Sequence, residues 1–142
     1  MRAFYLIDGA VSPTMTIPSL IAAVSAGQPV SVFDEIEEMD LNYLLTKGVE
    51  QPMLIKIDGD SMCPEISSGD WVMLAVGREP KANDIIVGHL DGGYTVKRFR
   101  LNHKGRRGLF LVPANCQLPE REIKDGDDYD VVGVVTHIIH AV

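Results

Sequence analysis

Basic side chains are scarce in this sequence, which sets 13 lysines and arginines against 20 aspartates and glutamates for a formal net charge of -7. A phosphate backbone selects a basic surface, so wholesale nucleic-acid binding is excluded and any such role is local or indirect. Cysteine is nearly absent as well. Cys63 and Cys116 have neither a metal spacing nor the makings of a paired framework, so free thiols in a reducing compartment are expected, with no metal and no cofactor. No apolar run approaches the roughly 20 residues of a membrane helix, and the start Met1-Arg2-Ala3-Phe4 lacks a secretion pattern, which makes a cytoplasmic protein the expectation. What remains is an ordinary globular composition, 46% apolar and 23% charged over 142 residues. That is a one-domain length, sufficient for a core without staples. The 13 glycines and eight prolines predict many turns between short strands.

The first fifty residues differ from the rest. Asp8, Asp34, Glu35, Glu37, Glu38, Asp40 and Glu50 face only Arg2 and Lys47 there, and Pro13, Pro18, Gly27 and Pro29 punctuate the stretch. Residues 1–50 are therefore expected to form an irregular arm, its acidic run a solvated face. A short helix is predicted from the capping residue Asp40 through Leu41, Leu44 and Leu45 to Thr46, stopped by Gly48. Residues 51–142 carry the pattern of a mainly β body. Met53, Ile55 and Ile57 alternate with Lys56 and Asp58, Trp71–Val76 is apolar on both faces, and Ile85–Leu90 turns through Asp91-Gly92-Gly93 into Tyr94–Leu101. Leu109–Val112 and Val131–Ile139 complete the predicted strands.

Alternation along Tyr94–Leu101 puts Thr95, Lys97, Phe99 and Leu101 on one face. Lys97 then sits among apolar neighbours, where burial disfavours the ammonium and prepares the amine to act as a base near neutral pH. A stem that crosses the face and carries its charged head to water fits the same pattern. Ser61 lies in Gly59-Asp60-Ser61-Met62, directly after a strand. The glycine allows a sharp turn in which the N–H groups of Ser61 and Asp60 can face a developing oxyanion, although an ordinary polar turn has the same composition. His89, His103, His137 and His140 offer no persuasive base, and the spacing of His137 and His140 in one strand predicts opposite faces. A Ser61/Lys97 pair is the more economical dyad. Lys97, Arg98, Arg100, Lys104, Arg106 and Arg107 put six of the thirteen basic residues within eleven positions. This basic hairpin, 97–107, reads as a solvated loop or a contact for polymerase, DNA or the acidic arm.

These residues carry a family resemblance. Gly59-Asp60-Ser61-Met62, then Ser68-Gly69-Asp70, then Tyr94-Thr95-Val96-Lys97-Arg98-Phe99 resemble the LexA/UmuD family of self-cleaving serine peptidases. Pro113-Ala114-Asn115 and Val132-Gly133-Val134-Val135-Thr136-His137 extend the likeness over nearly the whole chain. The resemblance implies a body of short, strongly bent mixed sheets, with Ser61 as nucleophile and Lys97 as base. It also implies one cut in the arm between a small residue and glycine, for which Ala26-Gly27 stands in the matching place. The 34 residues from Gly27 to Ser61 reach about 110 Å when extended, ample for cutting in cis or in trans.

Repressor members of the family carry a helix-turn-helix head and signal peptidases with the same dyad a membrane anchor. The first fifty residues, acidic on balance, resemble neither, which points to the UmuD branch. That branch implies a homodimer and an SOS response to DNA damage, in which a RecA filament on single-stranded DNA promotes cleavage. The trimmed dimer then serves a UmuC-like translesion DNA polymerase. A binding module of the same fold with a vestigial dyad, or a repressor fragment, are the alternatives.

Overall fold

The computed structural model of the chain describes residues 6–7, 10–11, 15–20, 27 and 36–142. It separates Met1–Gly48 from Val49–Val142. In the first, β1 (Leu6–Ile7) pairs antiparallel with β2 (Ala10–Val11), and β3 (Thr16–Leu20) pairs antiparallel with β4 (Ile36–Asp40). These ribbons are local regular elements among the described residues of a stretch expected to be irregular. Pro18 sits opposite Glu38 in a ribbon that is two-stranded among the described residues, a setting in which proline is tolerated on a strand edge. Helix α1 (Leu41–Thr46) starts where expected, with the Asp40 carboxylate accepting from Asn42 N–H at 2.9 Å. It ends before Gly48, whose φ of 74° suits glycine.

The second unit is one seven-stranded sheet. Its strands are β5 (Pro52–Lys56), β6 (Trp71–Val76), β7 (Ile85–Leu90), β8 (Gly93–His103), β9 (Arg106–Val112), β10 (Arg121–Ile123) and β11 (Tyr129–Ile139). Their spatial order is β10-β9-β8-β7-β11-β6-β5. The mainly β expectation is borne out, with every described pairing antiparallel rather than mixed. Short reversals explain this. The tips Asp91-Gly92 and Lys104-Gly105 have φ of 51° and 85°, and 52° and 74°, the left-handed pairs that close two-residue hairpins, whereas a parallel neighbour needs a long crossover. Three-residue β10 escaped prediction because so short a segment shows no period.

Ile86 and Val87, adjacent in β7, point to opposite faces of the sheet. Val87 packs with Ile57, Met62, Ile66, Val72 and Leu74, while Ile86 packs with Phe99, Leu111 and Val134. Burial on both faces is why β6 and β7 read as continuous apolar runs. Register shifts between Val131 and Gly133, Val135 and His137, and Leu101 and His103 bend the strands as bulges do. No helix among the described residues is long and apolar enough to cross a membrane.

Candidate active site

Ser61 is carried by the loop 57–70, which joins β5 to β6 and is closed at its base by backbone bonds from Ile57 N–H to Asp70 O (2.8 Å) and from Gly69 N–H to Ile57 O (2.8 Å). The buried Asp70 carboxylate accepts from Ser67 N–H at 2.8 Å and pairs with His140 Nδ1 at 2.6 Å. Those bonds hold the acid below the usual carboxylate range, the His140 contact being the larger cause and the Ser67 bond the next. Within the loop, Cys63 N–H bonds Asp60 O and Ile66 N–H bonds Met62 O. Met62 and Ile66, 2% and 0% exposed, plug into the core and so fix the backbone on the C-terminal side of Ser61. From across the sheet, Asn115 N–H donates to Ser61 O at 3.1 Å. Gly59, at φ 102°, supplies the backbone freedom the turn needs.

Lys97 comes from β8, opposite Ile86 in the register with β7. Its Nζ lies 2.9 Å from Ser61 Oγ, 2.8 Å from Thr95 Oγ1 and 3.1 Å from Val96 O. Burial of the ammonium lowers its pKa from the ordinary lysine value. Three contacts suit both protonation states. An ammonium donates to all three oxygens; a neutral amine donates to Thr95 and to the Val96 carbonyl, and turns its lone pair to the Ser61 hydroxyl.

A cleft of about 540 Å³ adjoins the pair, lined by Gly59, Ser61 and Thr95 and by the apolar side chains of Ile55, Ile57, Val87, Val96 and Val132. Beside it, β8 outruns β9. Among the described residues, Gly93–Lys97 pairs with β7 only, and pairing with β9 begins at Arg98.

The structure therefore brings Ser61 and Lys97, 36 residues apart in sequence, into contact. Of the expected cleavage pair, Gly27 is an exposed bend residue in the N-terminal unit, and Ala26 lies outside the described residues. The four histidines are engaged elsewhere. His89 meets Tyr94 and Asp128, His103 the Phe110 ring, His137 the Thr136 hydroxyl, and His140 Asp70. Cys63 and Cys116 are free thiols. In the basic hairpin, Lys104 lies 3.9 Å from Glu120 and Arg106 bonds Glu122 at 2.8 Å. Thr95 went without a role in the sequence reading, although its spacing of two from Lys97 was the signal. Asn115 and Asp70 were noted only as parts of the resemblance.

A serine hydroxyl held against a half-buried lysine amine, beside an apolar cleft and a half-paired strand, is an arrangement able to carry out nucleophilic acyl chemistry with lysine as base. The sequence profile of the Peptidase S24-like family matches residues 18–136, and the chain belongs to that family. It is 32% identical over 138 residues to the LexA repressor of Streptomyces coelicolor, covering 95% of this chain and 56% of that protein. It is 30% identical over 127 residues to Protein SamA of Salmonella typhimurium, covering 88% of this chain and 86% of that one. A LexA repressor of Mycobacterium leprae is 28% identical over 133 residues, 54% of its length. The chain spans about half the length of these LexA relatives.

Proposed function

We propose that this chain is a self-cleaving serine peptidase of the UmuD kind that cuts its own arm between Ala26 and Gly27. The carrying observation is the 2.9 Å contact between Ser61 Oγ and a lysine amine whose charge is disfavoured by burial. Neutral Lys97 takes the Ser61 proton as Oγ attacks the Ala26 carbonyl carbon. The oxyanion gains support from N–H groups of the Ser61 turn. The Ala26–Gly27 C–N bond breaks, and the lysine ammonium gives its proton to the departing Gly27 amine. Water then attacks the Ala26 ester on Ser61 as Lys97 again takes a proton. The arm leaves with an Ala26 carboxylate, and Ser61 recovers its hydrogen. The edge of Gly93–Lys97 that no described residue pairs is where an extended segment can add as a strand.

Residues 1–50 act in this reading as the removable arm and 51–142 as the peptidase body. The partners it implies are a second copy, a RecA filament on single-stranded DNA and a UmuC-like translesion polymerase, with loss of the arm as the switch. The test is mass spectrometry of the purified chain across pH 7–11, with and without that filament. A fragment ending at Ala26, released faster as pH rises, is expected because more Lys97 is neutral. An uncut chain under every condition would favour a binding module with a vestigial dyad, and specific operator binding in a gel shift would favour a repressor fragment.

Thr95 gives a sharper check on the same chemistry. Thr95→Val removes one of the three oxygens around Nζ, so the amine loses orientation and the cleavage rate is expected to fall by about tenfold to a hundredfold. The lost oxygen also supported the charged form, so the midpoint of the pH–rate curve moves to lower pH. The pH profile of the purified variant reads both effects.

A further inference from the structure

Contact between Ser61 and Lys97 depends on how the loop 57–70 is held against β8. Core packing fixes Met62 and Ile66 in a cluster that also takes in Val96 of β8, and Asn115 fixes the Ser61 carbonyl. Apolar packing of this kind sets no unique register by itself, and Arg98 adds a directional tie. It follows Lys97 directly, and its guanidinium donates through Nη2 to the Glu65 carboxylate, four residues past Ser61, and through Nη1 to Asn83 O at 2.7 Å. The turn before β7 is itself clamped to β8, with Asn83 N–H donating to Phe99 O and Phe99 N–H to Asp84 O, both at 2.7 Å. The Asp84 carboxylate is occupied by Lys81 N–H. One planar fork thus ties the serine loop, the lysine strand and that turn together. Among the described residues, it is the one ion pair between the loop and β8.

We propose that Arg98 and Glu65 are positioning residues whose ion pair holds the Ser61 loop in register with Lys97. The proposal rests on the peptidase reading for its effect on rate. The side chains are 23% and 41% exposed, so the pair adds little to global stability. Its contribution is geometric, because a displacement on the order of 1 Å between reacting groups can cost a hundredfold in rate. Arginine suits the place because a lysine ammonium, a point charge, cannot reproduce two bonds in a fixed fork.

The test uses the full chain and the variants Arg98→Gln, Glu65→Gln, Arg98→Lys and the double glutamine variant. Two quantities are read: the alkaline plateau of the self-cleavage rate, and the hydrogen exchange of the Cys63 and Ile66 amides. Each single glutamine variant is expected to lower the plateau about tenfold, with the pH midpoint displaced less than in Thr95→Val because the Thr95 and Val96 oxygens stay on Nζ. The double variant should fall no further than the singles, since both break one contact. Arg98→Lys should lie between wild type and Arg98→Gln. The two amides should exchange about tenfold faster without a matching loss of thermal stability. Unchanged plateaus, or a double variant that falls by the product of the singles, would overturn the proposal. If the wild type itself never cuts, the peptidase reading fails, and the holding role of the pair is decided by exchange: unchanged protection of Cys63 and Ile66 rejects it.

Discussion

Lys97→Ala is expected to leave the chain uncut from pH 7 to pH 11, a fall of about 10⁴-fold or more in the rate of arm release, as when a nucleophile loses its base. Lys97→Arg should be as inert, because a guanidinium stays protonated throughout that range and has no lone pair to offer Ser61. Ser61→Ala gives the same silence by removing the attacking oxygen. Lys97→Met separates chemistry from stability. It keeps the length of the stem and removes the charge that burial disfavours. The folded pKa of Lys97 lies below the unfolded value of 10.5, so between the two the unfolded chain holds a proton that the folded chain has shed. Stability then rises with pH across that window and is lost as pH falls through the folded pKa. Lys97→Met should therefore melt higher than wild type at neutral pH, with the difference closing as pH approaches 10.5. Equal melting temperatures at both ends, or a cleaving Lys97→Ala chain, would contradict the assignment of Lys97 as a desolvated base.

The unequal clarity of the two site residues in the sequence has a physical origin. Lys97 stands in a strand with an unbroken period of two, so its apolar surroundings and the neighbouring hydroxyl of Thr95 could be placed on one face without coordinates. Ser61 lies in a loop, where only Gly59 marked the sharp turn. The anchoring of Met62 and Ile66, the Asn115 clasp and the closure at Asp70 are contacts between distant segments, and no local pattern encodes them. Arg98 is the clearest case. Composition placed it in a basic hairpin, whereas its guanidinium reaches back to Glu65, 33 residues away. Turns were legible for the opposite reason. Asp91-Gly92 and Lys104-Gly105 are local devices, and the structure uses both with the positive φ their residue types allow. The strand Thr16–Leu20 was not legible, because it holds Pro18 and its stretch lacks strong alternation.

Gly133→Ala is expected to destabilise the fold by about 3 kcal/mol, at the upper end for overpacking, and to lower the melting temperature by roughly 10 °C. The glycine lies in the valine-rich centre of β11, where no turn requires it, and the sequence offers no reason for it beyond resemblance. The coordinates supply one. A Cβ at position 133 would stand 2.5 Å from Ala75 O and 3.1 Å from Val76 Cα. The obstacles are backbone atoms of β6, which cannot rotate away as a flexible side chain would. Relief requires β11 to part from β6 opposite Val76, at a point where its other edge is held by β7 through the Val87 pairing. Val132 and Val87 both line the cleft beside Ser61, so separating these strands alters the wall against which a substrate segment must lie. Arm release should slow together with the loss of stability, even at temperatures where the variant remains folded. Thermal melts and cleavage rates of Gly133→Ala, compared with Gly88→Ala, measure this directly. At Gly88 the nearest atom to a new Cβ is Asp130 O at 3.2 Å, a contact that a shift of a few tenths of an ångström relieves. A Gly133→Ala chain that melts like the wild type would mean that the central strands of the sheet are less tightly packed than this contact requires.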